Sequence, residues 1–222
     1  MGRLGFGWSQ TDTSGPDQRR ARLVAELRDS ARVTDPRVLA AFGRVPRHRF
    51  VPEARRALAY EDRALPLFEQ QTISQPSMIA IMLDGLHCAP DDCALEVGAG
   101  CGYAAALLGQ LVSRVHGIEL RPNLVALARH TLADLGIANV AIHQGDGRRG
   151  LPEHGPFQRI LVSAAAEQVP SALLDQLNIG GRIAIPVNSG AAQTLMIGER
   201  RSPSEVTWTK SVPCLWVPLV GG

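Results

Sequence analysis

The chain has 222 residues, 45% of them hydrophobic, which is enough apolar material for one α/β domain with an extension. Its 23 Lys+Arg against 21 Asp+Glu leave a net charge of +2, so bulk electrostatics offers no footprint for nucleic acid. No run of about 18 apolar residues occurs, so no membrane-spanning helix is expected.

The first 18 residues, "MGRLGFGWSQTDTSGPDQ", contain no signal-peptide core and are expected to be a flexible tail. Phe6 stands where a myristoylation start wants Ser or Thr. "RRARLVAELRDSA" (19–31) spaces apolar residues at helical intervals between charges. "DPRVLAAFGRV" (35–45) predicts a second helix, with Asp35 as N-cap and Pro36 in the first turn. Two prolines in "PRHRFVP" end it, and "PEARRALAY" is read as a further helical turn or two. Arg47 and Arg49 are expected to be solvated or paired, and His48 to be a structural hydrogen-bonding residue beside the turn. This helical prelude runs over residues 19–90.

The rhythm then changes. "CALEVGAG" predicts a buried parallel strand entering a turn, and "YAAALLGQLV" a helix. "RVHGIEL" and "RPNLVALARHTLADLG" predict a second strand and helix, with Pro122 near the helix start and Gly136 at its end. "NVAIHQGDG" and "FQRILVSAAA" read as strands three and four, "PSALLDQL" as a helix, and "GRIAIPV" as strand five. This alternation over 91–222 predicts a doubly wound, mostly parallel Rossmann-like sheet. "QTLMIGER" and "EVTWTKSV" predict paired antiparallel strands around "RSPS", and "CLWVPLVGG" a last edge strand.

Chemistry concentrates at the carboxyl ends of the first three predicted strands. Gly98, Gly100 and Gly102 follow a strand and open a helix, where glycine lets backbone turn sharply and approach a ligand. A dinucleotide fingerprint would need glycine at 103, where Tyr103 stands. Glu119 ends the next strand, 19 residues after Gly100, placed to accept hydrogen bonds from two ribose hydroxyls. Asp146, between Gly145 and Gly147 at the end of the third strand, is placed to accept from an exocyclic amine. Ligands of open α/β sheets bind at this edge. A nucleoside without a pyrophosphate fits best, and S-adenosylmethionine is the candidate cofactor. Cys88, Cys93, Cys101 and Cys214 form no CxxC, and the six histidines form no HExxH, so neither a disulfide nor a metal is expected. Reduced thiols fit a cytoplasmic protein.

The chain resembles the protein-L-isoaspartate O-methyltransferases. The resemblance is carried by "DPRVLAAFGRVPRHRFVP", "AYEDRALPL", "QTISQPSM", "LEVGAGCGY", "GDG", "LLDQLNIGGRIAIPV" and "WVPLVGG", over residues 20–222. It implies a Rossmann-like methyltransferase fold in which 19–222 form one domain. It also implies methyl transfer from S-adenosylmethionine to the free α-carboxylate of L-isoaspartyl residues in damaged proteins and peptides. S-adenosylhomocysteine is the by-product. The ester then closes to a succinimide that hydrolyses partly to aspartate. The family's functional serine falls on Ser74. Its cofactor contacts fall on Thr72, Ile73, Gly98, Ala99, Gly100, Cys101, Gly102, Glu119, Leu120, Asp146 and Gly147. Two other functions fit the same residues: tailoring of a dedicated aspartate in a peptide product, and a silent cofactor-binding module.

A carboxylate is already ionised at pH 7, so this transfer needs no base near Ser74, and no G-x-S-x-G marks Ser74 as a hydrolase nucleophile. Helix capping is the structural role open to Ser74, ahead of Pro76. One departure stands out. The family carries glycine just before "QTIS", and this chain carries Glu69 and Gln70. Any left-handed turn there would be strained, and Glu69 adds negative charge near an anionic substrate.

Overall fold

The computed structural model describes residues 14–31, 33–190 and 192–221. The expected tail therefore lies outside the described residues as far as residue 13. Helix α1 (Pro16–Ser30) starts three residues ahead of the expected boundary at 19, because Pro16 suits a first helical turn. Helix α2 (Pro36–Arg44) follows, with the Asp35 side chain accepting from the Arg37 N–H at 2.8 Å, as its N-cap position predicts. The turns at 47–49 and 53–58 are 3-10 rather than α-helical. A two-stranded hairpin, β1 (Leu65–Pro66) and β2 (Thr72–Ile73), leads to α3 (Pro76–Leu86).

The core then alternates as expected. It runs β3 (Cys93–Val97), α4 (Tyr103–Leu108), β4 (Arg114–Glu119), α5 (Pro122–Asp134) and β5 (Val140–Gln144). It continues with β6 (Phe157–Val162), α6 (Ser171–Asp175), β7 (Leu177–Ser189), β8 (Ala192–Ser202) and β9 (Glu205–Cys214). One seven-stranded sheet has the order β5-β4-β3-β6-β7-β8-β9, with β7–β8 and β8–β9 antiparallel and the other pairs parallel. The chain winds outward from β3 to β5, then crosses back to place β6 beside β3. That reversal makes the crevice where such sheets bind ligands.

Successive side chains of β3 enter cores on opposite faces of the sheet. Ala94 joins the cluster covered by α1 to α5, while Leu95 and Val97 join the cluster on the opposite face with Phe157, Ile160 and Leu173 of α6. Strands covered on both faces read as continuous apolar runs, which is why "CALEV" shows no alternation in sequence.

The C-terminus corrects the sequence reading. Residues 215–221 form no edge strand. They turn back over the end of β6, where the Ala165 N–H donates to Val217 O at 2.8 Å and the Leu219 N–H to Ala165 O at 2.7 Å. Gln193 clamps the turn: its Oε1 accepts from the Trp216 N–H at 2.6 Å and its Nε2 donates to Trp216 O at 3.1 Å. Pro218, lacking an N–H, pairs only through the isolated bridge to Ala165.

Arg47 is also a correction. It is fully buried and pairs with no carboxylate among the described residues. Its guanidinium lies 4.9 Å from the centre of the Tyr103 ring and its Nη2 donates to Arg63 O at 3.4 Å, while Nε and Nη1 find no hydrogen-bond partner among the described residues. Arg49 is paired, 3.4 Å from Asp134. The His48 Nδ1 hydrogen-bonds the Tyr60 hydroxyl at 2.8 Å, the structural role expected of it.

Candidate active site

Two adjoining cavities lie over the carboxyl ends of β3, β4 and β6. The larger, about 560 Å³, is lined by Thr72, Gly98, Gly100, Glu119, Leu120 and Gly147, with Val217 to Val220 as its far wall. The smaller, about 300 Å³, is lined by Ile73, Ser74, Glu96, Ala99, Cys101 and Ser163. Both share Thr72, Gly98, Gly100 and Ser163. The shared residues join the two into one cleft at the strand ends, where ligands of open α/β sheets bind.

The loop after β3 is held open by backbone geometry. Gly98 and Gly100 have φ of 77° and 53°, left-handed values costly for residues with a Cβ. The Gly100 N–H donates to Glu119 Oε2 at 2.8 Å, and the Arg121 N–H to Oε1 at 3.0 Å. Glu119 thus joins the end of β4 to the loop after β3. Each oxygen keeps acceptor capacity for a ligand hydroxyl.

Gly102 and Asp146 line neither cavity. Gly102 instead lets α4 pack on α5: a Cβ there would sit 3.1 Å from the Ala128 Cβ. Asp146 turns onto Arg148, accepting from its N–H at 3.0 Å and from Nη2 at 2.8 Å. The Arg148 guanidinium holds that carboxyl below the usual carboxylate range. The other expected site residues all line one cavity or the other.

Ser74 does not cap α3. The cap position is Gln75, and the carboxylate of Asp62 does the capping, with Oδ1 accepting from the Ser77 N–H at 2.8 Å and Oδ2 from Gln75 Nε2 at 3.0 Å. Half-buried Ser74 is left facing the smaller cavity.

Glu96 was not among the residues the sequence singled out. It is buried, its Oε1 accepts from the Ser163 hydroxyl at 2.8 Å, and its Oε2 has no hydrogen-bond partner. Burial pushes its carboxyl up to about 8, against the Ser163 hydrogen bond, with Glu119 adding repulsion. An orphaned acid oxygen beside a cavity fits a ligand that brings positive charge. The available signal was an acid inside an apolar strand, two residues ahead of the glycine loop. The wall from Val217 to Val220 had no local signal, because its position depends on a chain reversal.

The hairpin tip answers the departure before "QTIS". Glu69 and Gln70 have φ of 55° and 58°, so the left-handed path is kept without glycine. The Glu69 carboxylate points away to α5, 3.5 Å from Arg121 Nη1 and 2.5 Å from Asn123 Nδ2. Its charge is therefore countered rather than presented to an anionic substrate.

Comparison with known proteins agrees with this geometry. A protein-L-isoaspartate O-methyltransferase of Roseiflexus sp. (strain RS-1) is 46% identical over 201 residues, 90% of this chain and 92% of that protein. One from Aeropyrum pernix is 45% identical over 206 residues, 91% of this chain and 79% of that protein. A solved protein-L-isoaspartate O-methyltransferase superposes with a TM-score of 0.81 at 28% identity, over 91% of this chain and 66% of the other. A Plasmodium falciparum structure described as a putative enzyme of this kind, in complex with S-adenosyl-L-homocysteine, shares the fold with a TM-score of 0.78 at 22% identity, over 92% of this chain and 99% of the other. The sequence profile of the protein-L-isoaspartate(D-aspartate) O-methyltransferases matches residues 18–222, and the chain belongs to that family.

Proposed function

We propose that this chain transfers a methyl group from S-adenosylmethionine to the free α-carboxylate of L-isoaspartyl residues in damaged proteins and peptides. The observation that carries the reading is the pairing of a glycine-and-Glu119 cradle with Ser74 in adjoining cavities that hold no histidine or lysine. In this reading one domain spans 19–222, with residues 19–90 supplying Ser74 and its support.

S-adenosylmethionine, when bound, supplies a methyl group activated on a sulfonium. Glu119 would hold its ribose hydroxyls, the Gly98–Gly102 loop and the Thr72–Ile73 backbone would line its path, and Leu120 and Gly147 would flank its base. Asp146, oriented by Arg148 and next to the cavity-lining Gly147, would turn from outside the cavity to accept from the adenine amine. Glu96 would meet its positive charge. Ser74 would donate a hydrogen bond to the substrate carboxylate and hold it in line. A neutral hydroxyl orients that carboxylate without quenching its charge, as a cation would. The nucleophile arrives ionised, so the chain needs only to position it and exclude water. The C-terminal wall and the hairpin supply that exclusion.

The partners are isoaspartyl proteins and peptides, and the balanced charge supports neither nucleic acid nor membrane. No helix among the described residues is long and apolar enough to cross a membrane. Four free cysteines support a reducing compartment such as the cytoplasm, and burial pushes Cys88 up to about 12 and Cys101 up to about 11.

The repair assay tests the reading. An isoaspartyl peptide incubated with the chain and S-adenosylmethionine should lose isoaspartate and gain the aspartyl form. Unchanged isoaspartate after many cofactor equivalents would reject it.

A further inference from the structure

His116, His143 and His154 are well separated in sequence, and the fold gathers them. His116 lies on β4 and His143 on its neighbour β5. His154 ends the 3-10 turn at 152–154 and folds over both. Ring centres lie 4.3 Å apart for His116–His154, 4.6 Å for His143–His154 and 5.3 Å for His116–His143. His116 Nδ1 is 3.1 Å from His143 Nε2. One nitrogen from each ring falls within 4.8 Å of the other two. None of these imidazoles lines the cofactor cavities.

We propose that His116, His143 and His154 form a binding site for one divalent transition-metal ion, with zinc the best fit. Imidazole nitrogen suits zinc as it does copper, nickel and iron, and three imidazoles with one open tetrahedral position are an arrangement zinc commonly takes. A tetrahedral shell with Zn–N bonds near 2.1 Å has N···N edges of about 3.4 Å. The His116 and His143 nitrogens, 3.1 Å apart, share a hydrogen bond, and binding an ion would replace that shared proton and widen the pair slightly. His154 is exposed, so rotation of its side chain brings the third nitrogen in. Glu153 supplies negative charge facing both rings, while Arg114 faces His116 and Arg129 faces His143. The fourth position is open to water.

Simple ring packing against Phe157, 6.1 Å from His116, is the competing account. The rings of His116 and His143 and of His116 and His154 are stacked, at 27° and 19°, which packing alone explains; what packing does not require is one nitrogen from each of three rings within 4.8 Å of the others. The site is a structural staple. Glu119 and Asp146 each follow a cluster histidine by three residues on the same chain path, so an ion here would pin β4, β5 and the 152–154 turn behind the ribose and adenine positions. The ligands come from three separate elements, which is why no metal spacing shows in the sequence.

The test uses the untagged full chain, stripped with a chelator and titrated with Zn²⁺ alone by calorimetry, then with Co²⁺ to read its ligand-field absorption. One zinc per chain and a tetrahedral cobalt spectrum are expected. His154→Ala, at an exposed position that folding does not need, and His143→Ala should each weaken zinc binding by about tenfold or more. His130→Ala, on the exposed face of α5, should leave it unchanged. Absence of saturable binding, or zinc binding that survives both cluster substitutions, would overturn the proposal.

Discussion

Glu69 Oε1 accepts a hydrogen bond from Asn123 Nδ2 at 2.5 Å, tying the tip of the β1–β2 hairpin to the first turn of α5. Gln71 and Thr72 on one side of this tie, and Arg121 on the other, line the same cavity. The tie thus sets how closely the hairpin covers the cofactor position. Exposed ion pairs and hydrogen bonds of this kind contribute up to about 1 kcal/mol. Glu69→Ala should weaken S-adenosylmethionine binding by about twofold to fivefold in calorimetry. Gln70→Gly removes a left-handed non-glycine residue and keeps the tie, so it should raise stability by about 0.5–1 kcal/mol with binding unchanged. A loss of stability would show that the turn is not strained.

Ser74→Ala should lower kcat/KM for an isoaspartyl peptide by about tenfold to a hundredfold, the value of one hydrogen bond to a charged group. Cofactor affinity should hold, because the hydroxyl addresses the other partner. Steady-state kinetics beside cofactor calorimetry makes the check, and unchanged turnover removes the positioning role.

Asp62 carries Ser74 indirectly, since its carboxylate fixes both the Ser77 N–H and the Gln75 amide. Asp62→Ala should cost about 1 kcal/mol, the usual loss of a helix cap, seen as a drop of about 2–4 °C in melting temperature. It should also lower kcat/KM, because the segment entering α3 loses its anchor.

Much of this arrangement is legible in the sequence, for definite reasons. The strands from β3 to β6 are short apolar runs bounded by glycine or charge, and Glu119 and the glycine loop follow from strand ends. Long-range pairing is not legible. Leu177 reads as the last residue of a helix, yet it pairs with Phe157 and starts β7, a 13-residue strand longer than "GRIAIPV" suggests. Helix α4 stops at Leu108, ahead of a glycine that packing requires, since a Cβ on Gly109 would meet Val140 Cγ2 at 2.8 Å. Glu96 escaped notice because its meaning depends on having no partner, a property of the folded interior. The Asp146 carboxylate reads in the sequence as standing alone, and only the fold shows Arg148 orienting it.

Glu96 gives the pH prediction. Its folded value of about 8 lies above the ordinary 4.5, so between these values the folded chain keeps a proton that the unfolded chain has lost. Stability from this group is therefore greatest below 4.5 and falls as pH rises through the window to about 8. A cation bound beside Glu96 would favour its ionised form. Cofactor binding near pH 7 should then release a proton, read as binding enthalpies that differ between buffers of different ionisation enthalpy. Glu96→Gln should abolish the difference. Identical enthalpies for the unsubstituted chain would place the positive charge elsewhere.

The central claim is that the site selects an isoaspartyl carboxylate by position. Its most direct test is competition in one tube between two peptides that differ only in an isoaspartyl or an ordinary aspartyl linkage, with labelled S-adenosylmethionine and mass-spectrometric readout. The account predicts label on the α-carboxylate of the isoaspartyl peptide and none on its twin. Equal labelling of both, or label on the aspartyl peptide alone, would contradict it.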